Sequence, residues 1–353
     1  MALRIRTITT QFFEAEIING LAPFAGAELE TALGRAFHPL QGGSAEAIPF
    51  TYGGNWDPLF KLTTINAIYL GLRFPIPRPK ALLGHQTFHE LLDQIAAIQQ
   101  AHPPDSFHTF YLSAAGSESS VFRRFRTNLT DATGLADDED EGDLLIRVRP
   151  SPGKPSGWEV LLRLTPRPLS ARSWRVADMP GALNGPTAAA MVQLSHPSPE
   201  QRVLNLMCGS GTLLVERLLA GPAALAAGSD HSMDTLALAM TNLAAANVHA
   251  SLLCQDDRAA AFLDAAFDVL LADLPWGQLL GEQEDIEGLL PALLQEAARL
   301  ARPQARFVLV THTVQLMYSL LDQQRHLWHT EQVVKLARGN IHPAIFCLRR
   351  SVQ

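Results

Sequence analysis

Apolar positions follow two different rhythms in this chain, and the change falls near residue 200. Before it, β-branched and aromatic runs alternate with helical stripes. Residues 7–20, which include Phe12, Phe13, Ile17 and Ile18, predict a strand, and residues 25–37 carry the 3.6-residue spacing of a helix. Helices are also expected at 57–73 and 86–100, the second with Phe88, Leu91, Leu92, Ile95 and Ile98 on one face; Pro75, Pro77 and Pro79 interrupt the chain between them. Residues 107–114 predict a strand, and 119–135 a helix with Phe122, Phe125 and Leu129 turned inward. Two further strands, 143–148 and 158–164, are joined by a turn of Pro, Gly, Ser and Lys. This half is therefore α+β.

From residue 200 strands and helices alternate. Strands are expected at 202–206, 223–229, 251–254, 267–271, 306–310, 330–336 and 343–349, with helices at 213–219 and 235–246 among them. Short turns between such elements predict an α/β, doubly wound, mostly parallel sheet of seven strands, with ligands at the carboxyl ends of the strands. At 353 residues the chain is long enough for two or three separate cores. The expected division is 1–75, 76–168, a linker at 169–176, and 177–353.

Composition narrows the class of protein. Apolar residues at 47% and charged residues at 18% describe a folded chain, not a disordered one. No apolar run of about 18 residues is present, and the first residues lack the apolar core of a secretory signal, so the expectation is a soluble cytoplasmic protein without membrane contact. Cys208, Cys254 and Cys347 are far apart and show no Cys-x-x-Cys spacing, so neither a disulfide framework nor a metal is expected. The net charge of -7 is awkward for a nucleic-acid binder, but its distribution is uneven. Residues 1–176 hold 17 Lys and Arg against 18 Asp and Glu, and six of those acids lie in the run 137–143. Residues 177–353 hold 11 bases against 17 acids, so an electrostatic RNA footprint belongs to the N-terminal half. Arg123, Arg124 and Arg126 lie opposite the apolar stripe of the helix at 119–135. That face is either solvated or in contact with phosphate.

Four stretches carry chemistry. Residues 205–212, Asn-Leu-Met-Cys-Gly-Ser-Gly-Thr, place a Gly-x-Gly turn directly after a strand and before a helix, where Gly209 and Gly211 let the backbone approach a ligand and free N–H groups face it. A dinucleotide fingerprint would need a third glycine at 214, which is Leu. Asp230 ends the next strand, where a carboxylate can accept both hydroxyls of a ribose or cap the following helix. Asp256 and Asp257 follow the third strand, where one carboxylate can accept from an adenine amine and the other act as a cap. Residues 273–277, Asp-Leu-Pro-Trp-Gly, follow the fourth. Methylating an exocyclic amine requires acceptors that hold a planar nitrogen as positive charge develops on it, and Asp273 with a nearby backbone carbonyl can do so. Trp276 offers a face on which an unstacked base can lie. Taken alone, the pentapeptide is also compatible with a turn carrying a core-packing Trp.

The glycine turn and the Asp-Leu-Pro-Trp-Gly pentapeptide resemble the methyltransferase domain of the THUMP-containing RNA methyltransferases. The resemblance extends to a Gly-Leu/Glu-Leu pattern at 20–29, similar to a ferredoxin-like opening segment, and to residues 80–168, similar to a THUMP domain. It implies a Rossmann-like domain dependent on S-adenosylmethionine at 177–353, preceded by ferredoxin-like (1–75) and THUMP-like (76–168) RNA-binding parts. It also implies N2-methylation of a guanosine in tRNA by a monomer without metal. Asn205, Cys208, Gly209, Gly211, Thr212, Asp230 and Asp256 or Asp257 would hold the methyl donor. Asp273, Leu274, Pro275 and Trp276 would hold the guanine. Asn205 stands where the family usually has Asp, which weakens one contact to the methionine end of the donor, and Leu274 replaces a Pro. Two other readings remain: a 23S-type rRNA guanine-N2 methyltransferase, and a non-catalytic RNA-binding protein on a degenerate methyltransferase fold.

Overall fold

The computed structural model describes residues 10–152, 157–275, 283–337, 339 and 342–351. The chain divides into two compact units, one of residues up to Ile17 with Ala25–Ser170 and the other of Ile18–Phe24 with Ala171–Gln353.

The first unit contains β1 (Gln11–Glu16), most of α1 (Ala22–Leu33), β2 (Phe37–Pro39), β3 (Ala47–Tyr52), β4 (Ala67–Phe74), α2 (His85–Gln100), β5 (Thr109–Ala114), α3 (Ser120–Thr133), β6 (Ala136–Asp137), β7 (Leu144–Pro150) and β8 (Trp158–Arg163). Its strands form one sheet in the order β2-β3-β1-β4-β8-β7-β5-β6. The segments 1–75 and 76–168, expected as separate domains, share this sheet through the antiparallel pairing of β4 with β8. They also share one apolar cluster that runs from Phe13 to Leu164. Strand alternation sends Phe13 and Ala15 into that cluster and Glu14 and Glu16 to the opposite face, where Arg149 and Arg147 pair with them.

The helix expected at 57–73 is instead a short 3-10 turn (Asp57–Lys61) followed by β4. Every residue of β4 except Arg73 is buried, so the strand shows no alternation and its apolar run resembles a buried helix. Gly71 decides the packing: a β-carbon there would lie 2.3 Å from the Phe12 ring on the neighbouring strand.

The second unit contains α4 (Gly185–Leu194), β9 (Arg202–Leu206), α5 (Thr212–Leu219), β10 (Leu225–Asp230), α6 (Met233–Ala245), β11 (Ser251–Cys254), β12 (Phe267–Asp273), α7 (Gln283–Leu300), β13 (Ala301–Thr311), α8 (Val314–Gln323), β14 (Trp328–Lys335) and β15 (Ala344–Arg350). The seven strands run β11-β10-β9-β12-β13-β15-β14. The first five are parallel, and β15 lies antiparallel to both of its neighbours. Both faces are covered, so the central strands are apolar at successive positions. Leu204, Leu270, Phe307 and Phe346 lie in the cluster that holds α7 and α8, while Val203, Leu271, Val308 and Ile345 lie in the one that holds α4. Each such buried side chain stabilises the fold by roughly 1.5–3 kcal/mol over leaving it in water.

Residues 171–176, expected as part of a linker, belong to the second unit. Trp174 is buried, Arg172 Nε donates to Glu216 Oε1 at 2.6 Å on α5, and the Val176 N–H donates to Asn242 Oδ1 at 3.1 Å on α6. Among the described residues no helix is long and apolar enough to cross a membrane.

Candidate active site

From β9 the chain winds outward through β10 to β11, and from β12 it winds the other way to β13. Connections that diverge in this manner leave a crevice beyond the carboxyl ends of the two adjacent strands β9 and β12. Both chemistry-bearing turns of the second unit lie there.

The turn after β9 has Met207, Gly209 and Gly211 at φ of 49°, 51° and 81°, all in the left-handed region. Glycine adopts it without strain; Met207 is held there by a hydrogen bond from its N–H to Asp257 Oδ2 at 2.6 Å. A side chain at Gly211 would also press on α6, since a β-carbon would lie 3.1 Å from the Ala239 β-carbon. The Gly209 N–H donates to Asp230 Oδ2 at 2.9 Å, and the Cys208 N–H to the Ser229 carbonyl at 2.8 Å, so the end of β10 holds the turn open.

The carboxylates after β10 and β11 take different positions. Asp230 is buried, and its Oδ1 accepts from the Ser232 N–H at 3.0 Å and the Thr235 hydroxyl at 3.1 Å. Asp230 therefore supports the start of α6 while lining the cavity beside the glycine turn. Asp257 lies buried beneath the turn, and burial raises its pKa. Asp256 is exposed and pairs with Arg258 at 2.7 Å, which holds its carboxyl down at about 2. Of the two, Asp257 shapes the turn and Asp256 faces solvent.

A cavity of about 220 Å³ opens over these groups. Asn205, Cys208, Gly209, Thr212 and Asp230 line it from the β9 side, and Asp273, Leu274 and Pro275 from the β12 side. The Leu274 N–H donates to the Val310 carbonyl at 3.0 Å, which fixes the Asp-Leu-Pro segment against β13. Trp276 and Gly277 lie outside the described residues. Burial, with Asp230 and Asp257 nearby, raises the Cys208 thiol so far that it stays protonated, so Cys208 is a wall and not a nucleophile. Asn205 is buried, and its Nδ2 donates to the carbonyls of Leu206 (3.1 Å) and Leu271 (3.2 Å). Its Oδ1 has no partner among the described residues.

Several contributors escape the sequence reading. Asn242 on α6 joins the segment before α4 to the glycine turn, its Nδ2 donating to the carbonyls of Ala177 (2.8 Å) and Ser210 (3.0 Å). Arg175 donates to Thr212 Oγ1 at 3.0 Å. Asn184, Thr187 and His312 line a second, smaller pocket that also includes Asp273. No local motif marks any of these residues, and only the fold brings them together.

In the first unit, Arg123 and Arg124 are exposed on α3. Arg126 is tied to Glu118 at 3.2 Å and Asp137 at 3.6 Å. The acidic run folds on itself: Asp138 accepts from the N–H groups of Asp140 and Glu141, and Asp143 from those of His108 and Thr109. His85 and His89, one turn apart on α2, are a pair that the sequence reading passes over; their ring centroids lie 4.0 Å apart with the planes tilted by 50°. No group of three metal-ligating side chains is assembled among the described residues.

A seven-stranded sheet of this order, with a glycine turn after its first strand and an Asp-Leu-Pro segment after its fourth, defines an α/β methyltransferase fold. Residues 172–342, within the second unit, match the family model described as UPF0020: RMKL-like, methyltransferase domain. Mouse tRNA (guanine(6)-N(2))-methyltransferase THUMP3 is 24% identical over 188 residues, 49% of this chain and 37% of that protein. The tRNA (guanine(6)-N2)-methyltransferase of Thermus thermophilus is 30% identical over 191 residues, 54% of this chain and 56% of that protein. The matches thus span less than two thirds of the length of either relative. The crystal structure of TrmN from Thermus thermophilus superposes with a TM-score of 0.73 at 22% identity, covering 97% of this chain and 100% of that one, so the fold is shared along both units.

Proposed function

We propose that this chain is an S-adenosylmethionine-dependent RNA methyltransferase that modifies the exocyclic N2 of a guanosine in tRNA. The observation that carries the reading is that the glycine turn after β9 and the Asp273-Leu274-Pro275 segment after β12 open into one cavity. Donor-holding and amine-holding groups then face each other across it. The names of the similar tRNA methyltransferases support the choice of substrate.

The residues present suit S-adenosylmethionine. Gly209 and Gly211 keep the turn low enough for a ligand backbone to approach, and a side chain on Gly209 would meet Met179 Sδ at 3.3 Å. The buried, unpartnered Asn205 Oδ1 suits the ammonium at the methionine end of the donor. Asp230 suits its ribose hydroxyls; Asp256 and Asp257, the two candidates for its adenine, are not among the residues that line the cavity. When bound, the donor supplies an electrophilic methyl group. Asp273 and the Leu274 carbonyl accept from the N2 amine, aim its lone pair at that methyl, and stabilise the positive charge that develops on nitrogen. Trp276 provides the stacking face. Binding and orientation carry the reaction, with no covalent intermediate on the protein and no metal.

The first unit supplies the RNA grip in this reading, its β1–β4 part ferredoxin-like and its β5–β8 part THUMP-like, with Arg123 and Arg124 on phosphates. The same reading makes the protein a cytoplasmic monomer. It is tested by incubating the full chain with labelled S-adenosylmethionine and either tRNA or rRNA lacking modifications, followed by nucleoside analysis. N2-methylguanosine in tRNA supports it. Label confined to rRNA moves the substrate to the ribosome, and donor binding without transfer to any RNA overturns it.

A further inference from the structure

Beside the donor cavity lies a smaller pocket of about 60 Å³, lined by Asn184, Thr187, Asp273 and His312 over apolar Leu183 and Val310. Asp273, Ala182 and Leu183 line both spaces, so the pocket opens on the far side of the carboxylate from the glycine turn. It is too small to enclose a nucleobase and of a size to take the edge of one.

Asn184 is the informative residue. It occupies the N-cap position of α4, where an Asn side chain ordinarily accepts from the first turn, yet it makes no capping bond. Its Oδ1 is instead buried without a hydrogen-bond partner among the described residues. A buried acceptor left unmatched is costly, and in a pocket wall it calls for a donor from a ligand. Burial lowers the His312 pKa, so its ring is neutral at neutral pH and adds no charge to the pocket.

Resting on the methyltransferase reading above, we propose that Asn184 Oδ1 accepts the N1–H of the acceptor guanine while Asp273 holds its N2 amine, making Asn184 the residue that selects the base. The chemistry is discriminating. Three nucleobases carry an exocyclic amine, but only guanine places a second donor, N1–H, directly beside it. Adenine and cytosine place a ring-nitrogen lone pair there, which an oxygen acceptor repels. Two oxygen-bearing side chains that line one pocket thus read two adjacent donors on guanine.

The test compares the full-length wild type with Asn184→Leu and Asn184→Asp on unmodified tRNA, with nucleoside analysis, donor affinity and melting temperature measured on each. Asn184→Leu keeps the branching at Cγ and loses the acceptor; it is expected to lower kcat/KM for tRNA by at least about tenfold, with donor affinity unchanged and no loss of melting temperature. Asn184→Asp keeps an acceptor and has no amide with which to donate to adenine; it is expected to retain N2-methylguanosine formation within about threefold of wild type. Wild-type rates for Asn184→Leu, equal impairment of both variants, or label on adenosine or cytidine would overturn the proposal. A wild type that methylates no RNA fails the underlying function and the proposal with it, whereas N2-methylguanosine formed at equal rates by all three proteins sinks the selection role alone.

Discussion

Gly211→Ala isolates what the glycine turn does for donor binding. Gly211 sits at φ +81°, and its missing side chain would lie 3.1 Å from the Ala239 β-carbon and 3.3 Å from its α-carbon. Alanine must adopt a left-handed backbone at a cost of about 1–2 kcal/mol, and α6 does not yield as a flexible side chain would. The chain can relieve that strain by shifting the turn a few tenths of an ångström, which displaces its neighbours Gly209, Ser210 and Thr212 in the cavity wall. If the strain is relieved at the expense of the donor site, affinity for S-adenosylmethionine falls by roughly five- to thirtyfold. Calorimetric titration of the donor measures this directly. Gly134→Ala is the control: Gly134 has φ +74° with nothing within 4 Å of a built β-carbon, and it lies in the other unit, so it carries backbone strain without reaching the cavity. Donor affinity within twofold of wild type for Gly211→Ala would refute the argument that this turn forms the binding surface.

Asn205→Asp should destabilise the second unit by about 1–3 kcal/mol in denaturant unfolding, because the amide donates to the Leu206 and Leu271 carbonyls and a carboxylate must oppose both or take up a proton. An equally stable variant would contradict this. Burial raises the Asp257 pKa, so the folded state binds this proton more tightly than the unfolded chain does. The resulting stability is present below the ordinary carboxylate pKa and is lost as pH rises through the folded value. Wild type should therefore lose stability relative to Asp257→Asn between about pH 4 and neutrality, and a difference that grows in favour of wild type over that range would disprove the assignment.

The second unit was legible in the sequence because its central strands are buried on both faces and separated by helices, so that segments such as 202–206 and 267–271 stand out as short apolar runs between turns. The same two-sided burial hid β4, where an apolar stretch beginning after the Asp57-Pro58 turn carries no alternation to separate strand from helix. β2 and β6, with three and two residues, are too short to show any period. At the site, the glycine turn and the Asp-Leu-Pro segment were readable because each does its work within a few consecutive residues. Asn242 and Arg175 were not, since their partners are distant in sequence, and Asn184 was not, since an Asn before a helix reads first as a cap. In the linker expected at 169–176, Arg172 meets Glu216 inside the second unit, a pairing no local pattern announces.

The central claim is that one cavity brings together separable donor and amine sites. Measuring S-adenosylmethionine affinity and methyl transfer to unmodified tRNA on the same preparations of wild type and Asp273→Ala tests it most directly. The account predicts donor affinity within about threefold of wild type and transfer reduced by at least about a hundredfold, as expected when a group acting on developing charge is removed. Equal transfer by both proteins would contradict it.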